Sequence, residues 1–108
     1  MFEVRASGTF QKEAKKLIKK YSSLKEELSE LGNALALNPI VGTPLGRNCY
    51  KVRLSIKSKG KGKSGGARVI TCVLVAKEEV ILLTIYDKQV RPDLGPNELE
   101  KLLSDVAP

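Results

Sequence analysis

The sequence predicts an α+β domain in which an N-terminal strand and a helical hairpin pack on one face of a mainly antiparallel sheet, with a short C-terminal helix. Apolar side chains recur with a helical period over residues 10–37, and residues 50–86 contain three segments typical of strands. A short alternating segment precedes both. We expect residues 1–108 to form a single domain, because a chain of this length normally builds one hydrophobic core.

The N-terminal third is predicted to begin with a strand and a helix. Apolar and charged residues alternate over residues 2–5, which is typical of an edge strand. Ser7 or Thr9 can cap the helix that follows. Its apolar face is formed by Phe10, Ala14, Leu17, Ile18 and Tyr21.

A second helix is predicted to complete a hairpin with the first. Ser23 and Glu26 fit a capping box at its start. Leucines at positions 24, 28, 31 and 35 share one of its faces. The helix is expected to end at Asn38, because a residue before proline disfavours the helical backbone.

The rest of the chain changes to the period of a strand after a loop at residues 39–46. Apolar side chains at positions 50, 52, 54 and 56 share one face of a strand, and the other face carries Lys51, Arg53, Ser55 and Lys57. A basic glycine-rich loop over residues 58–66 leads to strands at 67–75 and 80–86, both nearly all apolar and expected to be covered on two sides. Gly95-Pro96 begins a short helix with Leu99, Leu102 and Leu103 as its apolar positions.

Positive charge is concentrated in the middle of the chain. No Asp or Glu lies between Glu30 and Glu78, and that stretch contains nine basic residues: Arg47, Lys51, Arg53, Lys57, Lys59, Lys61, Lys63, Arg68 and Lys77. The stretch accounts for the whole excess in the net charge of +7, because acidic residues outnumber basic ones elsewhere. A solvated surface normally mixes both signs, so this clustering indicates a surface that binds a polyanion, RNA in the first place.

The residue types present exclude several kinds of active site. The chain has no histidine, so catalysis cannot use the commonest proton shuttle. Its carboxylates are scattered and do not fit a two-metal nuclease. Cys49 and Cys72 alone do not make a zinc site, and we expect them to be buried thiols. No metal and no cofactor is therefore expected.

The residues present still allow cleavage of RNA without a metal. A ribose 2′-hydroxyl can attack its own phosphate when cations stabilise the developing negative charge. A lysine crowded by other cations can accept the hydroxyl proton, because like charges lower its pKa.

The location of the protein is predicted from two further features. No apolar run approaches the roughly 20 residues that span a bilayer, so no membrane association is expected. The segment Met1–Arg5 lacks the apolar core of a signal peptide. A cytoplasmic protein is expected.

Three stretches of the chain resemble a known family: Tyr50–Leu54, Lys63–Ile70 (Lys-Ser-Gly-Gly-Ala-Arg-Val-Ile) and Leu82–Lys88 (Leu-Leu-Thr-Ile-Tyr-Asp-Lys). Together with a helical hairpin closed by Asn38-Pro39, they are similar to the RelE/HigB group of bacterial toxin–antitoxin toxins, in the RelE/ParE superfamily, and to its HigB-like branch in particular. The resemblance covers nearly the whole chain. It implies a RelE-like fold and a ribosome-dependent mRNA endonuclease that a small antitoxin protein neutralises.

The same resemblance implies the site residues. It assigns catalytic roles to Lys51, Arg53, Arg68 and Lys88, with Arg68 stabilising the phosphate in the transition state. Tyr86, beside Lys88, is a further catalytic candidate, because a tyrosine can donate a proton or stack on a base. The RNA backbone would be held by the loop lysines Lys57, Lys59, Lys61 and Lys63. Asp87 is expected to be a surface residue in a turn. The chain lacks histidine and has no tyrosine after Tyr86, so the resemblance assigns neither the general acid nor the general base.

Two other functions fit the sequence. A non-enzymatic toxin of the related ParE type, which inhibits DNA gyrase by protein contact, would have the same fold and needs neither histidine nor a C-terminal tyrosine. A basic nucleic-acid-binding module without catalysis is supported by the charged stretch alone. Such a module would bind RNA with a steep dependence on salt concentration.

Overall fold

A five-stranded sheet forms the centre of the molecule. The computed structural model describes residues 1–60 and 62–107. The strands are β1 (Glu3–Ala6), β2 (Thr43–Gly46), β3 (Cys49–Leu54), β4 (Ala67–Leu74) and β5 (Glu79–Asp87), and their order across the sheet is β1-β5-β4-β3-β2. Only the pairing of β1 with β5 is parallel. The prediction of a mainly antiparallel sheet with the N-terminal strand at its edge is confirmed.

The predicted helical hairpin consists of α1 (Gly8–Lys20) and α2 (Leu24–Leu37) and packs on one face of the sheet. Phe10 of α1 and Leu24 and Leu35 of α2 are buried in one cluster with Val69 of β4. The remaining periodic positions of both helices pack against the same cluster. The amphipathic pattern of residues 10–37 therefore predicted both helices and the faces that they bury.

The C-terminal helix α3 (Glu98–Val106) covers the opposite face of the sheet. Leu102 is buried there against the apolar side chains that β4 and β5 present on this side, and Leu99 and Leu103 pack beside it. The apolar strands at residues 67–75 and 80–86 were expected to be covered on two sides, and α3 provides the cover on the second side. α3 begins two residues after Pro96, which the sequence placed in its first turn. No helix within the described part of the chain is long and apolar enough to cross a membrane.

Strand β2 was predicted as part of a loop. It pairs antiparallel with β3 through a tight turn at Arg47 and Asn48, whose φ angles of 58° and 61° lie in the left-handed region. Pro44 and Gly46 argue against a strand in the sequence, because both residue types are rare in strand interiors. An edge strand tolerates them since one of its sides needs no hydrogen-bonding partner.

Cys49 and Cys72 lie directly opposite each other on β3 and β4, and both are buried free thiols as predicted. Burial, with a contribution from Cys72, raises the pKa of the Cys49 thiol to about 12. That thiol is therefore protonated at neutral pH and is a poor nucleophile.

The two helix starts in the hairpin differ. Ser7 caps α1: its hydroxyl accepts the Phe10 N–H at 3.0 Å and donates to the Leu83 carbonyl at 3.0 Å. The predicted capping box of α2 is wrong, because Ser23 makes no capping hydrogen bond and its hydroxyl instead donates to Glu27 at 3.0 Å. The buried Glu27 carboxylate also accepts the backbone N–H of Lys57 at 2.7 Å. It thereby fixes the start of the β3–β4 connection to α2.

Replacing Ser7 with alanine should lower the free energy of unfolding by about 1–2 kcal/mol, because the variant loses the cap of α1 and leaves the buried Leu83 carbonyl without that donor. Urea denaturation followed by circular dichroism measures the change. Thr9→Ala is the matched control, since Thr9 is the other hydroxyl considered for the cap, and it should cost less than about 0.5 kcal/mol. Equal losses in the two variants would contradict the assignment of the cap.

Candidate functional site

Strand register brings three of the predicted catalytic residues into one row on the face that α3 partly covers. Arg53 of β3 lies opposite Arg68 of β4, and Arg68 lies opposite Tyr86 of β5. Side chains that face each other across paired strands project to the same side. We call Arg53, Arg68 and Tyr86 the arginine row. Lys51 lies on the same face, two residues from Arg53 along β3.

The two guanidinium groups of the arginine row differ in their surroundings. Arg68 is only 5% exposed, and its Nη1–H donates to the Ala67 carbonyl at 3.1 Å. Arg53 is exposed. The Arg68 guanidinium is thus buried in the sheet, while Arg53 is open to solvent. A guanidinium that is already buried in this way loses little further side-chain entropy when it binds a phosphate.

Tyr86 stands at the end of the row with its ring buried. Its hydroxyl lies 3.4 Å from Asp93 Oδ1, and the Arg91 guanidinium carbon lies 5.3 Å from the ring centroid. Burial raises the pKa of the Tyr86 phenol, and Asp93 raises it further, against the opposing effect of Arg68 and Arg91. Tyr86 is therefore a phenol that can donate a proton at neutral pH, and it is not suited to act as a base.

Asp93 and Arg91 complete this group, and nothing in the sequence indicated them. Asp93 Oδ1 lies 3.4 Å from Lys51 Nζ as well as from the Tyr86 hydroxyl, so one carboxylate oxygen joins β3 to the end of β5. The Leu94 N–H, donating at 2.8 Å, is the main cause that lowers the pKa of Asp93. Both residues lie in the segment between β5 and α3, where a charged side chain gives no periodic signal.

Lys88 directly follows β5. Its ammonium donates to the Pro92 carbonyl at 2.7 Å, and its backbone N–H donates to the Gly66 carbonyl at 3.0 Å. The structure thus places the Lys88 charge on the loop that carries Arg91 and Asp93.

Among the loop lysines predicted to hold RNA, Lys57 and Lys59 lie in different surroundings. Lys57 is exposed. Lys63 begins a short 3-10 turn that ends at Gly65. Lys61 lies outside the described residues. Lys59 has a side chain that is only 7% exposed, and its ammonium donates to Asp87 at 2.6 Å, so its charge is paired within the fold.

Asp87 also differs from its prediction as a surface turn residue. Its side chain is 4% exposed, and it accepts hydrogen bonds from Lys59 and, at 2.7 Å, from the Tyr21 hydroxyl. Burial by itself raises the pKa of Asp87, but the hydrogen bonds from Lys59, Tyr21 and the Gln89 N–H outweigh it and lower the pKa. Asp87 is therefore a buried carboxylate that stays ionised.

A cleft of about 400 Å³ opens beside Tyr86, between α1 and the segment that follows β5. Lys16 and Lys20 of α1 line one wall, and Arg91 lines the other. Glu98 forms an ion pair with Arg91 in the same cleft. Its volume lies within the range of small-molecule sites, and it gives a ligand on the arginine row space to extend past Tyr86.

The arrangement is suited to a phosphodiester. Guanidinium groups bind phosphate oxygens with paired hydrogen bonds, and fixed cations stabilise charge that develops on those oxygens during reaction. Within residues 1–60 and 62–107, no group of three or more His, Cys, Asp or Glu side chains is placed to hold a metal ion. The chemistry that these residues offer is electrostatic stabilisation with a phenol as proton donor.

No protein-family model matches the sequence. Solved structures of similar fold include a chain of the intact E. coli RelBE toxin–antitoxin complex, with 20% identity and a TM-score of 0.62 over 81% of this chain and 96% of that chain. A mutant of the E. coli toxin RelE in the free state has 20% identity and a TM-score of 0.60, covering 96% of this chain and 92% of the other.

The isolated E. coli RelE toxin is similar to the same degree, with 18% identity and a TM-score of 0.63 over 96% of this chain and 98% of RelE. The predicted RelE-like architecture is therefore confirmed as a fold. The similarity extends over nearly the full length of both chains.

Proposed function

Because the chain has the fold of the E. coli toxin RelE, we propose that it is the toxin of a type II toxin–antitoxin module and an endoribonuclease that cleaves mRNA on the ribosome. The arginine row, with Lys51 beside it, is the observation that carries the proposal. The toxin would act in the cytoplasm, where translated mRNA lies, and would need neither a metal nor a cofactor.

The proposed reaction is the attack of a ribose 2′-hydroxyl on the adjacent phosphorus. The 2′-hydroxyl loses its proton to water, the 2′-oxygen bonds to phosphorus, the bond from phosphorus to the 5′-oxygen breaks, and the leaving 5′-oxygen takes up a proton. Arg68 would bind the phosphate oxygens on which charge accumulates. Arg53, exposed on the same face, and Lys51, whose ammonium pairs with the exposed Asp93, would favour the ionised 2′-oxygen.

Tyr86 is proposed to donate the proton to the leaving 5′-oxygen. Its raised pKa keeps the phenol protonated, and Arg68, its direct neighbour in the row, holds the phosphate beside it. Asp93 would release the Tyr86 hydroxyl when RNA binds, because its contact with that hydroxyl is long and Asp93 itself is exposed. Lys88 would add positive charge from the neighbouring loop.

A small antitoxin protein is the proposed partner. The similarity to a chain of the RelBE complex supports it. The exposed cations of the sheet face, among them Arg53, are complementary to an acidic or helical antitoxin segment. Such a segment would compete with RNA for the same charges.

Expression of the chain without an antitoxin tests the proposal. Growth should stop, and mapping of 5′ ends should find new cuts in translated mRNA that disappear when translation of the same mRNA is blocked. A purified supercoiling assay runs in parallel. Inhibition of DNA gyrase with intact mRNA would indicate the ParE type of toxin instead, and salt-sensitive RNA binding without cleavage would indicate a binding module.

Replacing Tyr86 with phenylalanine should slow cleavage about 100-fold, the usual contribution of a positioned general acid. The raised pKa of Tyr86 also means that the wild-type rate should not fall from loss of this proton between about pH 7 and 9. Single-turnover cleavage of ribosome-bound mRNA measures the rate of the Tyr86→Phe variant and the pH dependence of the wild-type rate. Tyr50→Phe is the control, because Tyr50 packs on the hairpin side of the sheet and should keep the wild-type rate. Full activity of Tyr86→Phe would remove the phenol from the mechanism.

A further inference from the structure

A buried polar cluster lies on the face of the sheet opposite the arginine row. Lys59 Nζ donates to Asp87 Oδ1 at 2.6 Å and to the Gly65 carbonyl at 2.7 Å. The Tyr21 hydroxyl donates to Asp87 Oδ2 at 2.7 Å, and the Gln89 N–H donates to Oδ1 at 3.0 Å. We call Tyr21, Lys59 and Asp87 the anchor cluster.

The anchor cluster joins three segments that are far apart in sequence. Tyr21 caps the end of α1, Lys59 belongs to the β3–β4 connection, and Asp87 ends β5. The ammonium of Lys59 also lies 5.5 Å from the centroid of the Tyr21 ring, within the range of a cation–π contact. The three segments are thus fixed relative to one another by contacts between charged and aromatic groups.

A contribution to the stability of the fold is a weak explanation for the presence of the buried Lys59–Asp87 ion pair. Removing two opposite charges from water costs about as much free energy as their attraction returns, so apolar side chains of similar size often stabilise a fold equally well. Directional hydrogen bonds are what an ion pair adds to an apolar contact. Each oxygen of Asp87 accepts from a defined donor, which specifies one position of the strand end.

The segments held by the anchor cluster are those that carry the proposed catalytic residues. Asp87 lies between Tyr86 and Lys88 in sequence and pairs across the sheet with Ala67, the residue before Arg68. The Lys88 N–H donates to the Gly66 carbonyl, next to the Gly65 carbonyl that Lys59 binds. A displacement of either end of the ion pair would therefore move Tyr86 or Arg68.

We propose that Lys59 and Asp87 are positioning residues, which hold the β3–β4 connection and the end of β5 in register so that Arg68 and Tyr86 act on the same phosphate. This inference rests on the proposed function. Neither residue touches the substrate. Lys59 was expected to bind RNA, and here it acts from the opposite face of the sheet.

The test replaces the ion pair by apolar side chains. Lys59→Met and Asp87→Leu should each lower the melting temperature, because each leaves one charge buried without its partner. The double variant should recover most of the wild-type melting temperature. Its single-turnover rate at saturating ribosome-bound mRNA should nevertheless stay about 100-fold low, since a displacement of about 1 Å costs that much. The apparent affinity for the ribosome should change little.

A purely structural ion pair predicts a different result: cleavage would return together with the melting temperature in the double variant, and this would overturn the proposal. If the double variant does not fold, Asp87→Asn, which keeps the shape of the side chain, takes its place. In a folded Asp87→Asn protein, wild-type cleavage would likewise overturn the proposal.

Amide hydrogen exchange separates this inference from the proposed function. The Lys88 and Gln89 amides should exchange faster in the double variant and in Asp87→Asn, whether or not the wild type cleaves mRNA. Unchanged exchange at both amides would mean that the anchor cluster does not hold this strand end. A wild type without cleavage would instead refute the nuclease. Arg5→Met, which breaks the ion pair with Glu79 on the edge strand, is the control. It should change neither the cleavage rate nor the exchange of the Lys88 and Gln89 amides.

Discussion

Replacing Arg68 with alanine is expected to reduce mRNA cleavage by about 10²–10³-fold, the usual effect of removing one group that stabilises transition-state charge. Arg68 lies at the centre of the arginine row, 5% exposed and held in β4 between Arg53 and Tyr86. No other described cation has this combination of burial and position on that face. Cleavage of a reporter mRNA by the purified protein on ribosomes measures the loss.

Two comparisons make this result specific. Arg68→Lys keeps the charge but loses the planar pair of donors, so it should recover only part of the rate. Arg47→Ala removes an exposed arginine that pairs with Glu100 of α3, and it should leave cleavage unchanged. Circular dichroism checks that each variant is folded. Wild-type cleavage by a folded Arg68→Ala protein would remove this residue from the mechanism.

Replacing Gly66 with alanine is expected to destabilise the fold by about 3 kcal/mol, the upper part of the range for overpacking. A Cβ at this position would lie 2.1 Å from the Leu54 carbonyl oxygen and 3.2 Å from the Gly62 carbonyl oxygen. Both neighbours are backbone atoms, so relief requires the base of the β3–β4 connection to move. The φ angle of Gly66 is negative. Glycine is therefore required here because other backbone atoms come close to its Cα, and not because of a left-handed conformation.

Urea denaturation of Gly66→Ala measures the loss, with Gly32→Ala as the matched control. Gly32 lies inside α2, and a Cβ added there would meet no atom within 4 Å, so alanine should raise stability by up to about 1 kcal/mol. Because Gly66 accepts the Lys88 N–H and precedes Arg68 by two residues, the Gly66→Ala protein should also cleave mRNA more slowly. A stability equal to that of the wild type would show that the connection can shift without cost.

Most of the fold could be predicted from local patterns. The helical period of residues 10–37 placed the faces of α1 and α2, because one side of each helix must leave water. The apolar runs at residues 67–75 and 80–86 placed β4 and β5 to within about one residue of their observed ends. The sequence did not predict strand β2, because Pro44 and Gly46 are unfavourable in a strand. The segment is extended because it pairs with β3.

The candidate site was predicted in part. Alternation along β3 placed Lys51 and Arg53 on one face, and resemblance to known toxins selected Arg68 and Lys88. Tyr86 was chosen as the last tyrosine of the chain. Asp93 and Arg91 could not be found in this way, because each reaches the site through a loop whose path depends on α3. Their contacts with Tyr86 have no counterpart in any short-range pattern.

The sequence by itself determined which residues leave water and where positive charge accumulates, since burial period and residue type are local properties. The tertiary structure alone decided which charges are paired inside the fold and which are exposed. Lys59 and Arg53 look alike in the sequence, yet one is buried against Asp87, 28 residues away, and the other is exposed beside Arg68. The reason is that a charge is neutralised or left open by its neighbours in space, and those neighbours come from segments that only folding brings together.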